Sequence, residues 1–138
     1  MYDTLQGVDK TMEGEMTSPT QRTLKMLKQQ GRICGTVERF LQYAGPFGKR
    51  VDLFGFIDII SLSDDGIVGV QSCGQSFSEH RKKMLENEIL PKWLKHAKVE
   101  LIGWRKVKAK KGGKAMVWKP RVGDFIFKEG VVVCEERR

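Results

Sequence analysis

The chain has 138 residues, 40% hydrophobic and 30% charged, with only four prolines. That is the composition of one ordinary globular domain, and it excludes a disordered, collagen-like or long coiled-coil chain. Lys and Arg number 25 against 17 acids, a net charge of +8; a basic body of this size points to a polyanionic partner, nucleic acid first and an acidic lipid surface second.

No run of 18 apolar residues occurs, so no membrane-spanning helix is expected, and the start Met1-Tyr2-Asp3-Thr4 does not read as a secretory signal. A cytoplasmic protein is the expectation. Cys34, Cys73 and Cys134 are too widely spaced for a zinc ribbon or a Cys-x-x-Cys redox motif, and His80 and His96 add no zinc site. Free thiols are expected.

Residues 1–16 hold four acids and one base, so the remaining 122 carry 24 bases and 13 acids, a net of +11. That polar, aperiodic opening reads as a mobile acidic tail. Order starts at Ser18-Pro19-Thr20-Gln21: a capping serine, a proline at the first helical position and a glutamine that completes a capping box. A helix over 19–30 follows, with Leu24 and Leu27 on one side and Gly31 as its left-handed stop. Residues 33–43 are β-rich and end at Ala44-Gly45-Pro46, which predicts one strand.

The most apolar stretch is 51–62, VDLFGFIDIISL, followed by the turn Ser63-Asp64-Asp65-Gly66 and a second apolar run over 67–73. Two such runs around Asp-Gly predict a hairpin. If Asp65-Gly66 form the loop, Cys73 lies opposite Asp58; if the turn spans 63–66, Gln71 does. In both registers Asp58, Gln71 and Cys73 share one face. An unpaired carboxylate in an apolar strand is costly. Asp58 therefore either joins Gln71 in holding a hard divalent cation, or bonds a backbone amide or a lysine. Asp52, six residues earlier, falls on the same face; it extends such a site or, as the preferred reading, is a strand-end acid paired with Lys49 or Arg50.

Ser76 and Glu79 suggest a second capping box on a helix running to about Asn87, and Pro91 restarts a turn or two. A strand over 99–104, a hairpin around Gly112-Gly113 and one or two strands through Trp118 and 122–127 complete the order α-β-β-β-α-β-β-β. Between Arg105 and Arg121 lie eight bases and no acid: Arg105, Lys106, Lys108, Lys110, Lys111, Lys114, Lys119 and Arg121. A finger of this kind suits phosphate contacts, and its excess of lysine over arginine argues against bidentate reading of bases.

Helix, strand with Glu38, strand with Gly55-Phe56-Ile57-Asp58, turn, Val70-Gln71-Ser72-Cys73 and helix together resemble the PD-(D/E)XK nuclease superfamily, which includes restriction endonucleases and Holliday junction resolvases. Small phage-encoded members are particularly similar, through the stretch Asp52-Leu53-Phe54-Gly55-Phe56-Ile57-Asp58 and the later Gly103-Trp104-Arg105-Lys106. The resemblance covers roughly residues 20–127. It implies an α/β (α+β) fold with a restriction-endonuclease-like core, a mixed β-sheet flanked by helices in the order α-β-β-β-α-β with an added C-terminal basic β-hairpin. Residues 17–138 would then be a single nuclease-like domain.

It also implies a Mg²⁺- or Mn²⁺-dependent endonuclease on branched or otherwise structured DNA, such as junctions or flaps, working in a bacterial or phage-infected cell. Asp58 would be the metal aspartate, Gln71 the second ligand and Glu38 the auxiliary acid. Cys73 stands where that family carries its lysine, the residue that orients the attacking water; Lys82 in the next helix is the replacement it suggests. Two-fold junctions favour a homodimer. A catalytically silent DNA-binding module on the same fold, and a basic structural nucleic-acid binder, are the alternatives.

Overall fold

The computed structural model describes residues 17–138; the acidic tail expected over 1–16 lies outside the described residues. Helix α1 (Pro19–Gln29) opens as its sequence requires. The Ser18 hydroxyl accepts from the Gln21 amide at 3.2 Å, the Gln21 side chain accepts from the Ser18 amide at 3.0 Å, and Gly31 exits with φ +84°. These bonds satisfy amides that a helix start otherwise leaves open. Leu27 is fully buried and Leu24 packs beside it.

The other elements are β1 (Ile33–Thr36), β2 (Arg39–Leu41), β3 (Lys49–Val51), β4 (Ile59–Ser63), β5 (Gly66–Cys73), α2 (Phe77–Leu85), α3 (Leu90–Leu94), β6 (Lys98–Lys108), β7 (Met116–Lys128) and β8 (Val131–Glu136). Six strands form one mixed sheet in the order β1-β4-β5-β6-β7-β8, while β2 and β3 pair in a separate ribbon. Only β5 and β6 run parallel; α2 and α3 lie in the crossover between them. The fold is α+β, as the sequence suggests.

Helix α1 covers one face of the sheet, burying Leu27 against Ile59, Val68, Val70, Ile102 and Trp104. A polar trio pins it there: Thr23 Oγ1 meets Ser72 Oγ at 2.8 Å, and Trp104 Nε1 donates to Thr23 Oγ1 at 2.8 Å. The other face packs Ile57, Cys73, Leu101 and Phe125 against Phe77, Met84 and Leu90. Being covered on both sides, β5 is buried from Val68 to Cys73, as a strand beside a parallel neighbour should be. Gly103 is required by this layer, since a Cβ there would sit 2.9 Å from the Phe77 ring and 3.3 Å from the Cys73 sulfur.

Several expectations change. The strand over 33–43 divides: β1 joins the main sheet, and the chain then leaves it at Val37 to build the ribbon. The strand over 51–62 keeps only its second half, because 53–57 close a tight loop with Phe54 at φ +56° and Gly55 at φ +83°. Its hairpin pairs Ser63 with Gly66 and Ile59 with Val70, the register that places Gln71 opposite Asp58 and excludes a loop of Asp65-Gly66. Ser76 does not cap α2 with its side chain; its hydroxyl meets His80 Nδ1 at 3.1 Å instead. Strand β8 was not expected, although Glu129 (φ +54°) and Gly130 (φ +80°) form the two-residue loop that a following Val-Val-Val run calls for.

Candidate metal centre and nucleic-acid surface

The departure of the chain from β1 is what assembles the site. The Val37 amide donates to the Asp58 carbonyl at 3.0 Å, holding the start of the ribbon against the start of β4. Glu38 follows at once, before β2, and Asp52 comes directly after β3. The loop over 53–57 then reverses the chain: Leu53 and Ile57 exchange backbone bonds of 2.8 and 3.0 Å, and Asn87 Nδ2 donates to the Phe54 carbonyl at 3.1 Å. Asp52 and Asp58 therefore leave the two limbs of one tight loop. Glu38, Asp52 and Asp58 bring their carboxylate oxygens within 4.8 Å of one another.

Asp58 is the buried member, only 3% exposed. Its Oδ2 accepts from Gln71 Nε2 and from the Ser72 amide, both at 3.2 Å. Its Oδ1 is buried and has no partner. A buried acceptor without a donor costs about 1–3 kcal/mol, and more if charged. Burial pushes the Asp58 carboxyl up to about 7; the Ser72 amide works against that shift, and the charges of Asp52 and Glu38 add to it. Three acids with converging oxygens, one of them orphaned, could hold a hard divalent cation rather than a thiolate-loving metal. The residues present fit such an ion.

The structure brings Glu38 and Asp58 together, and of the two readings of Asp52 it favours the one that extends this cluster. Asp52 does stand at the end of β3, but among the described residues no ion pair joins it to Lys49 or Arg50. Arg50 Nη1 instead reaches Glu38 Oε1 at 3.3 Å, and Asp52 belongs to the cluster. The even spacing from Asp52 to Asp58 was a usable signal, although a folded loop rather than a continuous strand joins them. Gln71 does lie beside Asp58, but its amide nitrogen donates to Asp58 Oδ2 and to the Ser72 carbonyl at 3.4 Å. That fixes the carboxylate's orientation; the third carboxylate comes from Asp52.

Cys73 is buried in the core layer, and burial, followed by the Asp58 charge, pushes its thiol up to about 11. At neutral pH it is a neutral, packed group that neither attacks nor carries the positive charge of a lysine. Lys82 lies exposed on α2, a helix that packs against β6 and β8 rather than β4, so the structure does not bring it to the carboxylates.

The basic finger is the β6–β7 hairpin, with Arg105 opposite Lys119, Lys106 opposite Trp118 and Lys108 opposite Met116. Arg105, Lys106, Lys108, Lys110, Lys111, Lys114 and Lys119 are exposed and, among the described residues, form no ion pair. Arg121 differs: it grips Glu136 through two bonds of 2.7 and 3.0 Å and lies 4.2 Å over the Phe77 ring. Its pairing holds Glu136 below the usual carboxylate range, so Arg121 serves the β7–β8 packing first. Two cations lie near the Trp118 ring, Arg22 at 3.7 Å and Lys106 at 5.8 Å from its centre. A pocket of about 190 Å³ opens between this hairpin and the start of α2, lined by Gly74, Gln75, Phe77, Gly103, Trp104, Arg105 and Arg121.

No helix among the described residues is long and apolar enough to cross a membrane. No protein-family model, curated protein or solved structure matches the chain.

Proposed function

We propose that the chain is a metal-dependent DNA endonuclease of the PD-(D/E)XK type, acting on branched or otherwise structured DNA. The observation that carries this reading is the convergence of Glu38, Asp52 and Asp58 within 4.8 Å, one of them with a buried, unpartnered oxygen. The seven exposed bases of the hairpin supply the phosphate contacts such an enzyme needs. Bound at the carboxylates, Mg²⁺ or Mn²⁺ would supply a Lewis acid for a phosphodiester oxygen and would lower the pKa of a bound water. The chain's own part is to hold that charge in place. Gln71 and the Ser72 amide lock Asp58 through Oδ2, which leaves Oδ1 without a hydrogen-bond partner and free to serve as a ligand. Arg50, on Glu38, is 78% exposed and would be available to a phosphate brought to the carboxylates.

One observation favours a second reading. The place of the family's lysine is held by a buried, neutral Cys73, so the same surface could bind branched DNA without cutting it. Incubating the purified protein with a four-way junction, a flap and a duplex of matched sequence, with and without Mg²⁺ or Mn²⁺, separates the two. The expected result is cleavage only with metal, favouring the branched substrates and persisting when arm sequences are scrambled, because shape rather than base edges is read. Metal-independent binding with no cleavage under any condition would leave the binding module in its place.

A further inference from the structure

The ribbon that delivers Glu38 and Asp52 carries an aromatic surface that the metal centre does not use. Tyr43 is 92% exposed and Phe47 91%, with Phe40 on the stem at 57%. Burying an aromatic ring removes 150–250 Å² from water, so rings this open, four residues apart, forgo most of that gain. The ribbon nevertheless has a defined shape. Gly45 and Gly48 take φ of +72° and +78°, and the Phe40 ring lies across Gly48, where a Cβ would fall 2.3 Å away. Across 39–51 the charged residues are Arg39, Lys49 and Arg50, with no acid. Phe40 pairs with Arg50 and so shares its face, and Arg50 bonds Glu38.

We infer that the β2–β3 ribbon is a single-strand clamp, in which Tyr43 and Phe47 stack on unpaired nucleobases while Arg39, Lys49 and Arg50 hold the flanking phosphates. Aromatic rings interleaved with cations are the general means of gripping single strands without reading sequence. The charge favours a nucleic acid over a second protein surface, which would have to bury Arg39 and Lys49, for which no acidic partner stands among the described residues, together with the rings. Position favours it too. The ribbon begins and ends at carboxylates of the candidate metal centre, and Tyr43, five residues beyond Glu38, lies at most about 16 Å along the strand from it. At the ~3.4 Å rise of stacked nucleotides, that is a reach of about five stacked nucleotides. The inference rests on the nucleic-acid reading of the chain and assigns the unpaired part of a branched substrate to this ribbon.

The test is fluorescence anisotropy in chelator, which removes cleavage, with a labelled 20-nucleotide single strand and the blunt duplex of the same sequence. Wild type is compared with Tyr43→Ala/Phe47→Ala and with Tyr43→Trp/Phe47→Trp; substitutions of rings this exposed leave the fold intact. The alanine pair is expected to weaken single-strand binding by at least about 30-fold. Duplex binding should change less than about threefold, and the salt dependence should stay as it is because no charge is removed. The tryptophan pair should bind the single strand at least as well as wild type. Equal losses on both DNAs, or no loss on either, would overturn the clamp. So would a wild-type dimer in sedimentation that the alanine pair abolishes, which assigns the rings to a second copy. Because binding is read without metal, failure of wild type to cut DNA would sink the endonuclease reading and leave this result standing.

Discussion

Asp58→Asn is expected to abolish metal-dependent cleavage and, in the same molecule, to raise stability at pH 8 in chelator. The activity loss follows from removing the buried carboxylate of the cation site, an arrangement worth several kcal/mol of transition-state charge stabilisation, or about a thousandfold or more in rate. The stability gain follows from the orphaned Oδ1. Asparagine keeps an acceptor for Gln71 and the Ser72 amide and turns its NH₂ toward the carboxylates of Glu38 and Asp52, so nothing buried is left unpaired.

The sign of the pH dependence is set by the raised carboxyl, about 7 in the folded chain against 3.8 unexposed to it. Between those values the folded state binds more protons than the unfolded one. Wild-type stability therefore falls as pH rises through that window, by at most about 4 kcal/mol. Relaxation around the site leaves about 1–3 kcal/mol of that. The advantage of Asp58→Asn should be full above about pH 7 and shrink toward pH 4. Urea midpoints of both proteins at pH 4.5, 6 and 8 measure it. Mg²⁺ should stabilise wild type and leave the variant unchanged. An active variant, or one less stable at every pH, would remove Asp58 from the proposed role.

Neutralising Lys110, Lys111 and Lys114 together, as glutamines, is expected to weaken binding to every DNA sequence alike. The three lie at or beside the tip of the β6–β7 hairpin, exposed and without acidic partners among the described residues. If each meets one phosphate, the slope of log affinity against log salt falls by about 0.9 per lysine on duplex. Three such contacts correspond to roughly a 10²–10³-fold loss at 0.1 M salt. Filter binding from 50 to 300 mM salt gives the slope directly, and an unchanged slope would mean the hairpin points away from DNA. Arg121→Gln should behave differently, because its guanidinium is held by Glu136. Its cost appears in stability before it appears in the slope.

The sequence carried the parts of this fold that local chemistry dictates. The Ser18–Gln21 capping box, the 63–66 turn and the Pro91 restart are each set by a few neighbouring residues, and each is present. It carried less where distant packing decides. Apolar period alone drew 51–62 as one strand, yet Asn87, 33 residues beyond Phe54, bonds its carbonyl and supports a loop instead. That same fold-back makes the strand-end acid Asp52 a member of the carboxylate cluster, which strand parity could suggest but could not decide. Cys73 and Asp58 were legible as neighbours because opposite positions in a hairpin share a face. That Lys82 would not reach them was not legible, since the side on which α2 packs depends on Phe77 filling the space left by Gly103 and Gly123. Tyr43 reads as a strand-end hydrophobic in a one-dimensional pattern, and Phe47 falls outside every expected element. Only the division of that strand into β1 and a separate ribbon shows that no described residue covers either ring.

The central claim is that Glu38, Asp52 and Asp58 form one cation site. Anomalous diffraction from crystals of the protein soaked in Mn²⁺ tests it most directly. The expected result is a manganese peak bonded to an oxygen of each of these three residues, at about 2.0–2.3 Å, that disappears in crystals of Asp58→Asn. Absence of a peak at saturating Mn²⁺, or a peak that does not touch Asp58, would contradict it.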